Sequence, residues 1–221
     1  MIQEVIHVYL MPGMATSPII FDRIKLPEDL FKVHKLEWLM PKDKESISSY
    51  AQRMTKLIEH ENIVLIGVSF GGVIVQEMSK HINVRKLIII SSVKSRKELP
   101  RRMKLASCTG TYRFVPTRLA KNVDVLAKYA FGKRVVNRLD LYKKYLAISD
   151  PSYLNWAIKE MVCWKQREII PNIIHIHGDK DLVFPIKYIE DCTVIRNGTH
   201  VMIINKYKWF NENLPSIILA K

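Results

Sequence analysis

The residues best suited to chemistry form a glycine-flanked serine segment, Gly-Val-Ser-Phe-Gly at positions 67–71. A run of Val, Ile and Leu precedes it and a helical pattern follows it, so we expect Ser69 at a turn between a strand and a helix. Such a turn exposes the serine oxygen, and its glycines let neighbouring backbone approach without a Cβ clash. The first amides of the helix face developing negative charge. The segment predicts Ser69 as a nucleophile, and an idle serine in a glycine-rich turn is the structural alternative.

Two further polar segments follow, each after a predicted strand. The first, His-Gly-Asp-Lys-Asp-Leu-Val-Phe-Pro at positions 177–185, holds two carboxylates, Asp179 and Asp181. The second, Asn-Gly-Thr-His, ends on His200. Together with Ser69 they place a hydroxyl, an acid and an imidazole in the order Ser, acid, His along the chain.

In this order the three segments resemble the α/β-hydrolase family. The resemblance implies that Ser69 is the nucleophile, Asp181 the acid that orients the histidine, and His200 the general base. Asp179 is the competing acid, because spacing alone does not settle which carboxylate points inward. The remaining histidines lack a matching context and are expected to be structural: His7, His34, His60, His81, His175 and His177.

Residues 10–14, Leu-Met-Pro-Gly-Met, resemble the family's oxyanion loop, with proline in place of the usual histidine. By this resemblance the backbone N–H of Met14 pairs with that of Phe70 to bind a tetrahedral oxyanion. A tight turn that simply ends a strand is the structural alternative. The implied reaction is acyl transfer to water, with neither a metal ion nor an organic cofactor.

The elements that must position these residues follow from the apolar pattern. Short β-rich runs alternate with helical patterns, which is typical of a parallel sheet flanked by helices. Strands are expected at 5–11, 33–39, 63–69, 84–91, 173–177 and 193–196. Helical spacing follows the serines at 46 and 48, and Asp150 with Pro151 predicts another helix start. The predicted fold class is α/β, with a mostly parallel sheet of about six strands in three α/β/α layers.

The long gap between the fourth and fifth predicted strands indicates an insertion. We expect residues 1–93 and 169–221 to form the α/β-hydrolase core and residues 94–168 a helical lid, with helices near 119–131 and 135–148. Its aromatic residues are either core or substrate contacts: Tyr112, Phe114, Tyr129, Phe131, Tyr145, Trp156 and Trp164.

Charge is concentrated in this insertion, which holds 18 Lys and Arg against 6 Asp and Glu, or +12 of the chain's net +14. The excess suggests an anionic substrate or an acidic partner, and a solvated lysine-rich surface is the alternative. No nucleic-acid-binding motif accompanies it, so we expect no nucleic-acid partner. The three cysteines fit neither a disulfide framework nor a zinc site. Without a signal peptide or a membrane-spanning run, we expect a cytoplasmic protein. We expect it to be a monomer or a homodimer.

The sequence thus predicts a serine hydrolase, similar to a carboxylesterase (EC 3.1.1), that cleaves a small-molecule ester or thioester. The same triad could serve an amidase or an acyltransferase. A hydrolase-like protein that binds a small ligand with little or no turnover is the alternative from another class.

Overall fold

The computed structural model describes residues 4–115, 145, 148 and 150–220. These residues form a six-stranded sheet whose strand order is β2-β1-β3-β4-β5-β6, with every neighbouring pair parallel. The strands are β1 (Ile6–Met11), β2 (Phe31–Lys35), β3 (Ile63–Val68), β4 (Lys86–Ile90), β5 (Ile174–Gly178) and β6 (Thr193–Ile195). The predicted α/β fold with a parallel sheet of six strands is confirmed.

The second strand lies earlier in the chain than its prediction at 33–39. In the register of β1 and β2, Leu10 pairs with the last residue of β2, and the N–H of Leu36 donates to the Leu10 carbonyl. The residue after β1 is Pro12, which has no N–H to donate, so the pairing with β2 does not continue. The apolar pattern continues because Leu36 and Trp38 are buried in the core after the strand has ended.

Helices pack against both faces of the sheet. They are α1 (Ile47–Thr55), α2 (Phe70–Met78), α3 (Arg101–Thr109), α4 (Pro151–Val162), α5 (Met202–Asn205) and α6 (Tyr207–Leu219). Short 3-10 turns occur at Pro18–Phe21, Arg96–Glu98, Thr111–Phe114 and Ile186–Tyr188. Two predicted starts are confirmed, since Ser46 caps α1 and Asp150 caps α4 with Pro151 as its first residue.

Two apolar layers enclose the sheet. One lies under α1, α2 and α4 and includes Tyr50, Phe70 and Trp156. The other lies under α5 and α6 and includes Ile66 and Phe210. All six residues of β3 are buried, which is why the strand is a continuous apolar run. The buried sheet gives the loops at its carboxyl edge a fixed base.

Much of the predicted insertion lies outside the described residues, including the predicted helix at 119–131 and nearly all of that at 135–148, with Tyr129 and Phe131. Within the described part, Tyr153 and Trp156 of α4 join the same apolar layer as α2, whereas Phe114 is 83% exposed. The lid and its boundaries stay predictions. No helix in the described ranges is long and apolar enough to cross a membrane.

Candidate active site

Ser69 lies between β3 and α2 in a backbone conformation that non-glycine residues rarely adopt, with φ 53° and ψ −121°. Hydrogen bonds hold it there: its N–H donates to the Ile90 carbonyl at 2.9 Å, and its own carbonyl accepts the Ser92 hydroxyl at 2.7 Å. The neighbouring strand β4 therefore stabilises the strained turn, and the Ser69 side chain is left partly exposed.

The two glycines of the segment allow close backbone approach on both sides of Ser69. A Cβ on Gly67 would clash with the backbone of Gly71, and a Cβ on Gly71 would clash with the Pro12 carbonyl. The second contact brings the turn against the loop that follows β1. The predicted reason for glycine at these positions is confirmed.

His200 follows β6 and connects Ser69 with a carboxylate. Its Nε2 lies 2.9 Å from Oγ of Ser69, and its Nδ1 lies 2.8 Å from Oδ2 of Asp181. Because a carboxylate only accepts, the proton belongs on Nδ1, which leaves Nε2 to accept the serine hydroxyl proton. The structure thus brings together the three side chains that the sequence analysis predicted to be catalytic.

Asp181 is nearly buried, with 2% of its surface exposed, and its second oxygen accepts the N–H groups of Val183 and Phe184 at 2.8 and 2.9 Å. Burial alone would raise the pKa of this carboxyl, but the charge and hydrogen bond of His200 and the Phe184 amide outweigh it and lower the pKa. Asp181 is therefore ionised. Among the described residues, the competing Asp179 forms no hydrogen bond with His200, and its buried Oδ1 has no hydrogen-bond partner.

The loops that carry the acid and the histidine touch each other at two glycines. A Cβ on Gly178 would clash with the backbone of Gly198, and the Lys180 N–H donates to the Gly198 carbonyl at 2.8 Å. Two neighbouring strands, β5 and β6, thus present Asp181 and His200 at a fixed separation.

Two buried histidines lie behind the acid. His177 donates from Nε2 to the Phe184 carbonyl at 2.8 Å, and its Nδ1 accepts from Nε2 of His175 at 3.1 Å. Burial lowers the pKa of His177, and burial with neighbouring positive charge lowers that of His175 to about 2. Both rings are neutral, so they brace the acid loop without adding a second cation beside Asp181.

Three hydrogen bonds to the carbonyl of Gly13 hold the loop after β1. The Gly13 oxygen accepts the N–H and the hydroxyl of Thr16 at 3.0 and 2.8 Å, and the indole N–H of Trp38 at 3.0 Å. In a trans peptide the next N–H, that of Met14, points the opposite way. Within the described part of the chain, neither this N–H nor that of Phe70 has an acceptor. Both flank Ser69, whose Cβ lies 3.6 Å from where a Gly13 Cβ would be.

Three supporting residues were missed by the sequence reasoning. Trp38 holds Gly13, Ser92 holds Ser69, and the Tyr153 hydroxyl accepts the Ala15 N–H at 3.2 Å. Ser92 offered a signal, since it is a polar residue just after a buried strand. Trp38 and Tyr153 offered none, because their contacts span 25 and 138 positions of sequence.

No protein-family profile and no curated protein sequence matches the chain. Solved structures do match it. A hydrolase from Oleispira antarctica superposes with a TM-score of 0.74 at 14% identity, over 99% of this chain and 92% of that one. A hydrolase from Pseudomonas aeruginosa PA01 superposes with a TM-score of 0.72 at 13% identity, over 98% of this chain and 91% of that one. An esterase from Thermogutta terrifontis superposes with a TM-score of 0.64 at 13% identity, over 96% of this chain and 89% of that one.

At these identities the similarity shows the fold and not the reaction. The chain has the α/β-hydrolase fold, as the three sequence segments predicted.

Proposed function

We propose that the protein is a serine hydrolase that cleaves a carboxylic ester of a small molecule through an acyl-enzyme. One observation carries the proposal: an unbroken chain of hydrogen bonds runs from Asp181 through His200 to the hydroxyl oxygen of the partly exposed Ser69. This is the arrangement that turns a weak hydroxyl nucleophile into a reactive one.

In the acylation step, Oγ of Ser69 attacks the ester carbonyl carbon while Nε2 of His200 takes the hydroxyl proton. The buried carboxylate of Asp181 stabilises the resulting imidazolium. The N–H groups of Met14 and Phe70 bind the negative oxygen of the tetrahedral intermediate. As that intermediate collapses, the bond to the alcohol oxygen breaks, and His200 returns its proton to the leaving alcohol.

Deacylation repeats these steps with water. His200 removes a proton from a water molecule, which attacks the acyl carbon, and the proton passes to Oγ of Ser69 as the acid leaves. The protein's own side chains and amides supply every group in this cycle.

Buried aromatic rings pack around the site, which is our reason to begin with esters of apolar acids or alcohols. The ring of Phe184 packs edge-on against His200 at 5.5 Å, and Trp38 stacks on Phe70 at 5.5 Å, behind the loop that carries Met14. Structural neighbours that are named esterases support an ester in preference to an amide. The basic excess of residues 94–168 is the reason to include anionic esters in any substrate panel.

The test is pre-steady-state hydrolysis of p-nitrophenyl esters of increasing acyl length. We expect a burst of p-nitrophenol equal to the enzyme concentration, followed by slower turnover, because p-nitrophenol is a good leaving group and acylation is then faster than deacylation. Ser69→Ala abolishes the burst. Ser216→Ala, an exposed serine on α6, leaves it unchanged and serves as the matched control. Tight ester binding without a burst or turnover would overturn the proposal in favour of a ligand-binding protein.

A further inference from the structure

A cluster of three histidines lies away from Ser69, toward the amino edge of the sheet. His7 is in β1, His34 is in β2, and His60 is in the loop before β3. His7 and Tyr9 share the sheet face that α1 covers, and the register pairs Tyr9 with His34. One ring nitrogen from each histidine lies within 4.8 Å of the others.

The three rings are already in contact. Nδ1 of His7 is 3.0 Å from Nε2 of His34, so these two nitrogens share one proton. The rings of His7 and His60 stack with centroids 3.8 Å apart. All three side chains are only partly buried, so solvent and small ions reach them.

Their charge state suits metal binding. Burial, the neighbouring histidines and Lys32 lower the pKa of both His7 and His34, against the smaller opposing effect of Glu4 on the first and Glu59 on the second. These two imidazoles are therefore neutral near pH 7, and only a neutral imidazole binds a metal ion.

Tyr9 supplies an outer hydrogen bond of the kind that orients a metal-binding histidine. Its hydroxyl oxygen accepts the Glu59 N–H at 3.2 Å and lies 2.6 Å from Nδ1 of His60. In the tautomer that donates its Nδ1 proton to Tyr9, His60 keeps the Nε2 lone pair free for a metal ion.

We propose that His7, His34 and His60 form a binding site for a divalent transition-metal ion such as Zn²⁺. Three imidazole nitrogens suit Zn²⁺, Ni²⁺ and Cu²⁺, and leave a fourth position for water. Nitrogens at Zn–N distances of about 2.0–2.1 Å in a tetrahedral site are roughly 3.3 Å apart, close to the spacing of His7 and His34. The ion takes the place of their shared proton, which moves through solvent to the other nitrogen of the same imidazole, and His60 turns out of its stack, which its loop position permits.

The site is separate from the proposed reaction. The register pairs Met11 with Gly67, two positions before Ser69, whereas His7 lies four positions before Met11. His34 pairs with Tyr9, two positions before Met11, so at roughly 3.3 Å per position both histidines lie about 13 Å or more from Ser69 along the strands. A bound ion would instead join β1, β2 and the loop before β3, so we expect it to raise stability and leave ester hydrolysis unchanged.

Isothermal titration of untagged, chelator-treated protein with Zn²⁺ tests the proposal. We expect one ion per chain, at least about tenfold weaker binding in His7→Gln and His34→Gln, and a melting temperature that rises with Zn²⁺ in the unchanged protein. His81→Gln is the matched control, since His81 is exposed and contacts Ser48 instead of the cluster. Circular dichroism without metal checks that each variant folds.

A measurement on the unchanged protein removes the dependence on folded variants. Zn²⁺ should protect His7, His34 and His60 from diethylpyrocarbonate, read by peptide mass, while His81 stays reactive. Absence of stoichiometric binding, binding equal to the unchanged protein in both glutamine variants, or equal modification of all four histidines would each overturn the proposal.

Discussion

The two edges of the sheet gather reactive side chains in different ways. At the carboxyl edge, Ser69, Asp181 and His200 come from three loops, and backbone hydrogen bonds and glycine contacts hold each loop. At the amino edge, His7 and His34 meet because the register of two neighbouring strands places them on one face. The first arrangement is preorganised for a reaction, whereas the second is an adjustable set of ligands.

The topology explains why the carboxyl edge holds the crevice. In the strand order, β2 lies on one side of the central pair β1 and β3, and β4 lies on the other. The chain therefore runs in opposite directions across the sheet after β1 and after β3. The loops after β1 and β3 therefore diverge, and ligands of open α/β sheets bind in such a gap. Gly13 and Ser69 face each other across it. Substitutions at this edge should change activity, and those at the amino edge should change stability alone.

The largest expected effect is the loss of activity in Asp181→Asn, which distinguishes Asp181 from Asp179 in the same loop. We expect kcat for ester hydrolysis to fall by about 10⁴, because an amide no longer holds His200 in the required tautomer. Asp179→Asn is the matched control, and a loss of less than about fivefold is expected because Asp179 forms no hydrogen bond with His200 in the described structure. Steady-state kinetics of both variants measure this, and the reverse order would make Asp179 the acid.

Trp38→Phe gives an intermediate effect, through the loop after β1. The variant keeps the stacked ring but removes one of three hydrogen bonds to the Gly13 carbonyl. We expect kcat to fall about tenfold with KM nearly unchanged, since a loosened Met14 amide weakens transition-state binding more than substrate binding. Trp209→Phe on α6 controls for the loss of an indole. Equal kcat in the two variants would argue against this positioning role for Trp38.

Much of the carboxyl edge could be predicted from the sequence, because its signals are local. The segment around Ser69 carries its own strand and helix context, and the segments ending on Asp181 and His200 each follow a strand. The support from Trp38 and Tyr153 could not be predicted, since it depends on how distant elements pack.

The histidine cluster could not be predicted either. Positions 7, 34 and 60 have no shared motif, and the register of β1 and β2 was unknown, as the misplaced second strand shows. A register shifted by one residue would put His34 on the other face.

The smallest expected effect is a change in how stability depends on pH. It compares His175, behind the acid loop, with His34 of the histidine cluster. Folding lowers the pKa of His175 from 6.5 to about 2. Between these two values His175 binds a proton in the unfolded chain but not in the folded protein. The free energy of unfolding therefore decreases as the pH drops below about 6.5, by at most about 1.4 kcal/mol per pH unit for each proton.

Urea titrations between pH 7 and 4.5 measure this slope, above the range in which Asp181, with its lowered pKa, contributes. We expect His175→Gln to flatten the slope more than His34→Gln, because His175 is buried and His34 is only partly so. Equal slopes in the two variants would contradict this difference between the edges.

The most direct test of the central claim is covalent labelling of Ser69 by a fluorophosphonate, which reacts only with an activated serine. Intact mass should show one adduct on the unchanged protein and on Ser216→Ala, and none on Ser69→Ala or His200→Ala. An unlabelled native protein, or an adduct that survives in Ser69→Ala, would contradict the assignment of Ser69 as the nucleophile.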